Sequence, residues 1–433
     1  MLTAQENELI CRVGPGTPMG NLMRQYWLPG MLSSELPHPD CDPVRILLLG
    51  EQLIAFRDSD GKVGMVQDAC PHRGASLFFG RNEEAGLRCV YHGWKFDVTG
   101  ACVDMPNEPA ESNFKHKIHA TAYPCVERNG AVWTYMGPAP AAGLPPLPDI
   151  EANMAAGHHT LAMEHDHNWL QVLEGTIDTI HAGLLHFGSV PWEGAPDGSF
   201  SQFGLKHRSA KFEVIDTPAG VCYGAYRDAT PDTNYWRIAH FMMPFYGMSP
   251  TGGGFGGVPS SLTAAVPMDD EHTLYVHFIA QAATASYELL PNSTDWYGRF
   301  RPPAQKSNDF LLDREVQRHS KGANGYSGVP GVRNQDRAIT SSMGPIVNRT
   351  VEHLGQTDSG IIRTRRRLIE AARMLAETGA PPPGVRNPEA YQVRSGELVL
   401  PKGADWATET EEMRRAFVDH PALASSRAAG RGR

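Results

Sequence analysis

Two short arms decide how this chain is read: Cys70-Pro71-His72-Arg73-Gly74 and Cys89-Val90-Tyr91-His92-Gly93-Trp94, with sixteen residues between His72 and Cys89. Each arm carries one thiol and one imidazole. A glycine follows each histidine within two residues. The preceding runs, 63–67 and 87–91, read as extended. The pattern predicts two strand-end loops that clasp something between them, with backbone N–H groups near Arg73, Gly74 and Gly93 available to donate to it.

Two chemistries use such a donor set. One is a tetrahedral zinc site. The other is a Rieske [2Fe-2S] cluster, with two thiolates on one iron and two imidazoles on the other. Spacing alone does not exclude zinc. The order of donors leans toward the cluster, because each arm runs Cys then His, whereas a zinc finger of this kind places its histidines together on a helix. The stretch matches the Rieske pattern C-x-H-x(16)-C-x-x-H.

At 433 residues the chain is long enough for two domains. With a net charge of −9 and mostly dispersed basic residues, nothing suggests a nucleic-acid groove. No apolar run approaches the ~20 residues of a membrane-crossing helix. The N-terminus lacks the basic-then-apolar form of a signal peptide, so the expected location is cytoplasmic. The seven cysteines, Cys11, Cys41, Cys70, Cys89, Cys102, Cys125 and Cys222, are odd in number and do not suggest a disulfide framework. Those outside the two arms read as small buried hydrophobes.

The expected fold is α+β. Residues 1–26 read as a helical lead-in. Residues 27–137 read as a small β domain, from strand-like pieces at 44–49, 53–58, 63–68, 94–97 and 132–136 with turns at Asp60-Gly61 and Thr99-Gly100. A proline-rich connection begins at Pro138. Residues 138–433 read as a second domain with an antiparallel sheet flanked by helices. Its strands are expected at 211–215, 221–227, 235–243, 262–267 and 273–278, with helices at 165–175, 361–376 and 408–418. Residues 424–433 read as frayed.

A second donor-rich stretch lies inside that domain: Glu174-Gly175-Thr176-Ile177-Asp178-Thr179-Ile180-His181-Ala182-Gly183-Leu184-Leu185-His186. On a helix, Asp178 and His181 share a face at i,i+3. His186 is then turned away, so a break or π-bulge near Gly183 is expected if both histidines bind one ion. One further carboxylate would complete a 2-His-1-carboxylate triad, which leaves positions open on non-haem Fe(II).

With both stretches in view, the chain resembles the α (oxygenase) component of the Rieske non-haem iron aromatic-ring-hydroxylating oxygenases. Within that family it resembles the phthalate 4,5-dioxygenase type in 7–18, 76–84 and 104–109. The resemblance implies that residues 27–137 are the Rieske [2Fe-2S] domain and 138–433 the catalytic non-haem iron domain. Cys70 and Cys89 would hold one cluster iron, and His72 and His92 the other. His181 and His186 would hold the mononuclear Fe(II), with Asp336 as third ligand and Asp358 as the fallback. Asp178 matches the bridging aspartate, which in the family links one subunit's iron to the cluster of its neighbour in a head-to-tail trimer, alone or stacked into a hexamer.

The same resemblance implies O2 and electrons from NADH, delivered through a separate flavin/[2Fe-2S] reductase. No dinucleotide fingerprint appears in this chain. The implied reaction is cis-dihydroxylation of an aromatic carboxylate, with phthalate as the expected substrate. Isophthalate, terephthalate, chlorobenzoate or phenoxybenzoate, with ether cleavage or demethylation, are the alternatives. Arg208 and Arg237 resemble the subgroup's carboxylate-binding arginines, with Arg227 a weaker third, and Thr179 is a candidate pocket-lining residue. A different class, an iron–sulfur electron carrier without oxygenase activity, would lack the second metal site.

Overall fold

The computed structural model describes residues 1–109, 111–138, 143–154, 158–187, 200–204, 207–250, 261–280, 286–319 and 325–415. The expected frayed tail 424–433 and the end of the expected helix 408–418 lie outside them. Within the described part of that helix, two short turns, Trp406–Glu409 and Glu411–Arg414, replace a continuous one.

The lead-in is two helices. Ala4–Cys11 starts with a capping box in which Thr3 and Glu6 exchange hydrogen bonds, and Pro18–Met23 is capped by the Thr17 hydroxyl. Three small antiparallel sheets follow. Trp27–Leu32 pairs with Ala131–Tyr135, which pairs with Cys125–Arg128. Val44–Leu48, Glu51–Arg57 and Val63–Gln67 form a meander that ends on Ala122–Tyr123. Arg81–Glu83, Gly86–Arg88, Lys95–Phe96 and Cys102–Asp104 form the third sheet. The extended run expected at 87–91 is shorter than its pattern suggests. It ends at Arg88, and Val90 and Tyr91 stand exposed in the loop.

The larger sheet has eight antiparallel strands. In spatial order they are His158–His165, Thr273–Ala280, Ser261–Pro267, Tyr246–Met248, Thr233–Met242, Gly220–Thr230 and Lys211–Thr217, with Gly396–Pro401 also paired to Thr233–Met242. That central strand divides its free edge: Tyr246–Met248 takes residues 240–242 and Gly396–Pro401 takes residues 233–238. Its burial is almost continuous because helices cover the sheet. One apolar core runs from the N-terminal helices through this sheet. No helix among the described residues is long and apolar enough to cross a membrane.

The expected helix at 165–175 begins later. His165 closes the strand His158–His165, and the helix is Trp169–Ile177, started by the Asn168 side chain accepting from Leu170 N. It lies against the strands Tyr246–Met248 and Ser261–Pro267, where Gly247 leaves room for Thr176. The helix Val332–Ser342 packs beside it. Gln171, 2% exposed, ties the two together, donating to Thr340 O at 2.9 Å and Gly344 O at 3.0 Å and accepting from Val347 N at 2.9 Å. Gly175 permits the close approach, since a Cβ there would stand 3.2 Å from Thr340 Cγ2.

Candidate metal centres and the cavity beside them

The arms at 70 and 89 are the same turn built twice. Cys70 N donates to Ala75 O at 2.8 Å, and Gly74 N returns to Cys70 O at 2.9 Å. Cys89 N donates to Trp94 O at 2.9 Å, and Gly93 N returns to Cys89 O at 2.9 Å. Gly74 and Gly93 occupy the equivalent corner with φ of +76° and +83°, a conformation that suits glycine. Arg88 anchors the second loop through Gly93 O, Asp104 and Glu83.

The four donors pair off by type. Both cysteines are buried, and burial, reinforced by the facing Cys89, pushes the Cys70 thiol up to about 11. The His72 and His92 rings meet with centroids 4.5 Å apart, and Trp94 stacks on His72 at 4.3 Å. His72 Nδ1 is buried without a hydrogen-bond partner, the mark of a nitrogen that awaits a ligand. Sulfur against sulfur and imidazole against imidazole fits a two-iron cluster with mixed ligation. A single tetrahedral ion would draw all four to one point, and among the described residues only one donor group converges in that way.

That group is His181, His186 and Asp336. The helix Trp169–Ile177 ends one residue before Asp178, which is extended at φ −75°, ψ 116°. The break therefore falls earlier than the one expected near Gly183, and Asp178 and His181 do not share a helical face. Tyr223 OH donates to Ile177 O at the break, and Asp178 Oδ1 accepts from Ile180 N at 2.8 Å. A 3₁₀ turn, His181–Gly183, follows. This irregular path aims both imidazoles at the helix Val332–Ser342.

His181 Nε2 lies 3.3 Å, and His186 Nε2 3.2 Å, from the same Asp336 oxygen, Oδ1. The opposite ring nitrogens are also held: His181 Nδ1 is 3.3 Å from Asp178 Oδ2, and His186 Nδ1 is 2.7 Å from Gln335 Oε1. Gln335 is locked in turn by Nε2 donating to Val329 O at 3.0 Å. Partners that fix the outer nitrogen leave the inner lone pair for a metal. Burial works against charge on His181, but Asp178 and Asp336 outweigh it and push its pKa up to about 10. Asp336 is held down to about 2 by the two histidines, against its burial. Asp358 is elsewhere, accepting from Gly355 N before the helix Ser359–Thr378.

A cavity of about 220 Å³ opens on this group, lined among others by Met163, Val172, Arg237, Tyr275, Arg333 and Thr340. Arg237 donates to Pro250 O at 3.0 Å. Arg208 is exposed, 5.2 Å over the Phe187 ring, and is not in the cavity wall. Thr179 is buried beside Asp178 but does not line the cavity either. Arg227 is buried and donates to His207 O at 2.7 Å. Sequence reading passed over Gln335 and Arg333. Once Asp336 is placed on a helix, its neighbour Gln335 and Arg333 at i−3 are the positions to inspect.

Residues 26–124 match the family model described as "Rieske [2Fe-2S] domain", and residues 134–427 match "LigXa C-terminal domain like". The chain is 42% identical to a 3-chlorobenzoate-3,4-dioxygenase oxygenase subunit of Comamonas testosteroni, over 96% of this chain and 100% of that one. It is 35% identical to a phthalate 4,5-dioxygenase oxygenase subunit of Pseudomonas putida, over 86% of each. The fold is shared with the NdmA QL mutant of Pseudomonas putida CBB5, solved with caffeine, at a TM-score of 0.56 and 19% identity, over 86% of this chain and 95% of that one.

Proposed function

The chain belongs to the Rieske non-haem iron oxygenases as an oxygenase subunit, and from that premise we propose that it dihydroxylates a single-ring aromatic carboxylate bearing one further substituent. In this reading Cys70, Cys89, His72 and His92 hold the [2Fe-2S] cluster, and His181, His186 and Asp336 hold the mononuclear iron. The division into a lead-in to residue 26, a cluster domain to 137 and a catalytic domain beyond it goes with this assignment. The observation that carries the substrate class is the convergence of the donor triad on the same cavity as two arginines, Arg237 and Arg333.

Size supports a small substrate. An engineered cavity of about 150 Å³ accepts benzene, so about 220 Å³ suits one ring with one or two small groups. Guanidinium groups in a wall that also carries Met163, Val172, Pro250 and Tyr275 suit a carboxylate on an apolar ring. Phthalate, the substrate expected from sequence, fits this description through its two carboxylates. So does 3-chlorobenzoate, which the 42% identical relative favours.

The bound metals supply electron transfer and oxygen activation. The chain's own residues bind the acid, shield it from water and orient the metal's ligands through Asp178 and Gln335. Overall, arene, O2, two electrons and two protons give a cis-dihydrodiol. A separate flavin/[2Fe-2S] reductase supplies the electrons from NADH.

The decisive experiment is oxygen uptake with a reductase, comparing 3-chlorobenzoate, phthalate, isophthalate, terephthalate and phenoxybenzoate, with product identification. Uptake with none of them rejects the aromatic-acid reading. Asp178, with its side chain 29% exposed, is proposed to meet His92 or His72 of a neighbouring copy in a head-to-tail trimer. Asp178→Asn should then keep both metals and lose nearly all turnover. Full turnover in that variant removes the coupling.

A further inference from the structure

Arg333 is half-buried in the wall of the cavity that holds the donor triad. Arg299, Arg349, Arg365 and Arg394, buried elsewhere, each pair with a carboxylate, whereas the buried Arg337 and Arg414 rest on carbonyl and hydroxyl oxygens. Among the described residues no carboxylate pairs with Arg333. Its partners are neutral: Nη1 donates to the Tyr275 hydroxyl at 2.8 Å, and Nη2 donates to His277 Nδ1 at 3.0 Å. The Tyr275 and Tyr287 rings lie 5.6 and 5.0 Å from its central carbon. Asp336, one turn along the same helix, attracts the guanidinium without forming an ion pair with it, so a guanidinium that faces the cavity on neutral hydrogen-bond partners is open to an anion brought by the ligand.

The arrangement behind Arg333 is specific. A histidine nitrogen that accepts from a guanidinium carries no proton, so the His277 proton sits on Nε2. There it faces Ser261 Oγ at 2.5 Å, while the Tyr287 hydroxyl joins Arg333 on Nδ1 at 2.8 Å. His277 is 2% exposed, and burial together with the charge of Arg333 keeps its ring neutral, far below its usual range. The guanidinium is thus fixed from behind by one N–H on each terminal nitrogen. The second N–H of each remains for a bidentate carboxylate.

Taking the aromatic-acid reading above as given, we propose that Arg333 grips the substrate's carboxylate and that His277 is the positioning residue that holds its guanidinium for that purpose. One helix, Val332–Ser342, then carries the substrate's counter-charge and, one turn later, the metal's carboxylate Asp336. The rigid helix sets the distance between the bound acid and the iron. This role falls to neither of the arginines that the sequence pattern singled out. Arg237 reaches the cavity from the sheet, on another wall.

The test is calorimetric titration of the oxidised, metal-loaded protein with 3-chlorobenzoate, phthalate and uncharged 3-chlorobenzamide, alongside steady-state kinetics. Arg333→Gln should weaken both acids by at least about 30-fold and leave the amide unchanged. Arg333→Lys, which keeps the charge but not the fork, should fall between. His277→Phe should raise KM for the acids about tenfold with kcat little changed, and His277→Gln, whose Oε1 can still accept, should recover most of the loss. Cluster absorption and iron content are checked in each variant. Unchanged acid binding in Arg333→Gln at full metal content overturns the proposal. Equal loss of acid and amide binding also overturns it, because that marks a purely structural role. If the wild-type protein binds neither acid, the substrate reading itself fails, and that result is visible before any variant is made.

Discussion

The cluster loops and the iron site are built in opposite ways. The four proposed cluster donors come from two copies of one five-residue turn, closed by their own backbone and a glycine at each corner. The proposed iron donors come from an irregular exit from one helix and the middle of another, far along the chain, and apart from Asp178 beside His181 their holds come from distant segments. Tertiary structure brings them together: Gln171 bridges the two helices, and Glu174 anchors the first of them to the rest of the domain. The first centre is a property of its loops, while the second is a property of a scaffold.

The largest test separates the two centres outright. Asp336→Ala should abolish turnover and lower bound iron to that of the cluster alone, with the visible and spin-resonance signals of the cluster intact. Cys89→Ser should abolish turnover by the other route, removing the cluster signal while the triad still takes up Fe(II). Loss of both centres in either variant would break the claim that they are built independently.

The scaffold itself is next. Glu174 pairs with Arg349 and Arg365, and Arg365 also takes Glu352. Burial would raise the Glu174 pKa, but the two arginines outweigh it and hold it below its ordinary value of 4.5. Its stabilisation is therefore fully present above about pH 4.5 and is lost as pH falls through the lowered native value. Glu174→Gln leaves two buried guanidiniums short of charge and should cost about 3–5 kcal/mol, with a flatter acid limb in denaturant melts. On heating, iron should leave this variant well before the cluster bleaches. Simultaneous loss would mean that the cluster loops depend on the same scaffold.

Much of this contrast was legible in the residues. Five strands of the eight-stranded sheet were visible as apolar runs near 211, 221, 235, 262 and 273, because strands packed under helices keep a strong apolar signal, while His158–His165, Tyr246–Met248 and Gly396–Pro401 were missed. The proposed cluster donors stand out in the residues because they sit at fixed short spacing. Asp178, His181 and His186 were visible as a set, but their geometry was not. A helix was expected to run through 165–175, and Asn168 instead starts it late; the expected break near Gly183 occurs at Asp178. Arg333 and Gln335 were missed for one reason: without the partner segment, a polar helix face reads as solvated. Arg208 drew attention because it resembled a subgroup position, yet only burial in a cavity wall distinguishes a substrate arginine from a surface one.

Gln335 measures how much of the iron site rests on a side chain that never touches the metal. It orients His186 at 2.7 Å and is 0% exposed. Gln335→Leu keeps the volume and removes the acceptor. Second-layer partners of metal histidines are worth about 10–100-fold in affinity or activity, so iron dissociation should accelerate by that order while the cluster signal stays the same. Iron retention equal to wild type would show that packing alone orients His186.

The finest test falls within the cluster loops. If the two turns were equivalent in every respect, alanine at either glycine would do equal harm. Left-handed backbone alone costs a side chain about 1–2 kcal/mol, and Gly74 and Gly93 share that cost at φ of +76° and +83°. Their surroundings differ. A Cβ at Gly74 meets nothing within 4 Å, whereas one at Gly93 would lie 2.5 Å from Pro106 Cγ. A proline ring cannot rotate aside, so the loop that carries His92 must move instead. Gly74→Ala should lower thermal stability by about 1–2 kcal/mol with normal cluster content. Gly93→Ala should cost more and also lower cluster occupancy or shift its reduction potential, since His92 is displaced with the backbone. Equal losses would show that the turns are interchangeable, and a larger loss at Gly74 would reverse which arm is the constrained one.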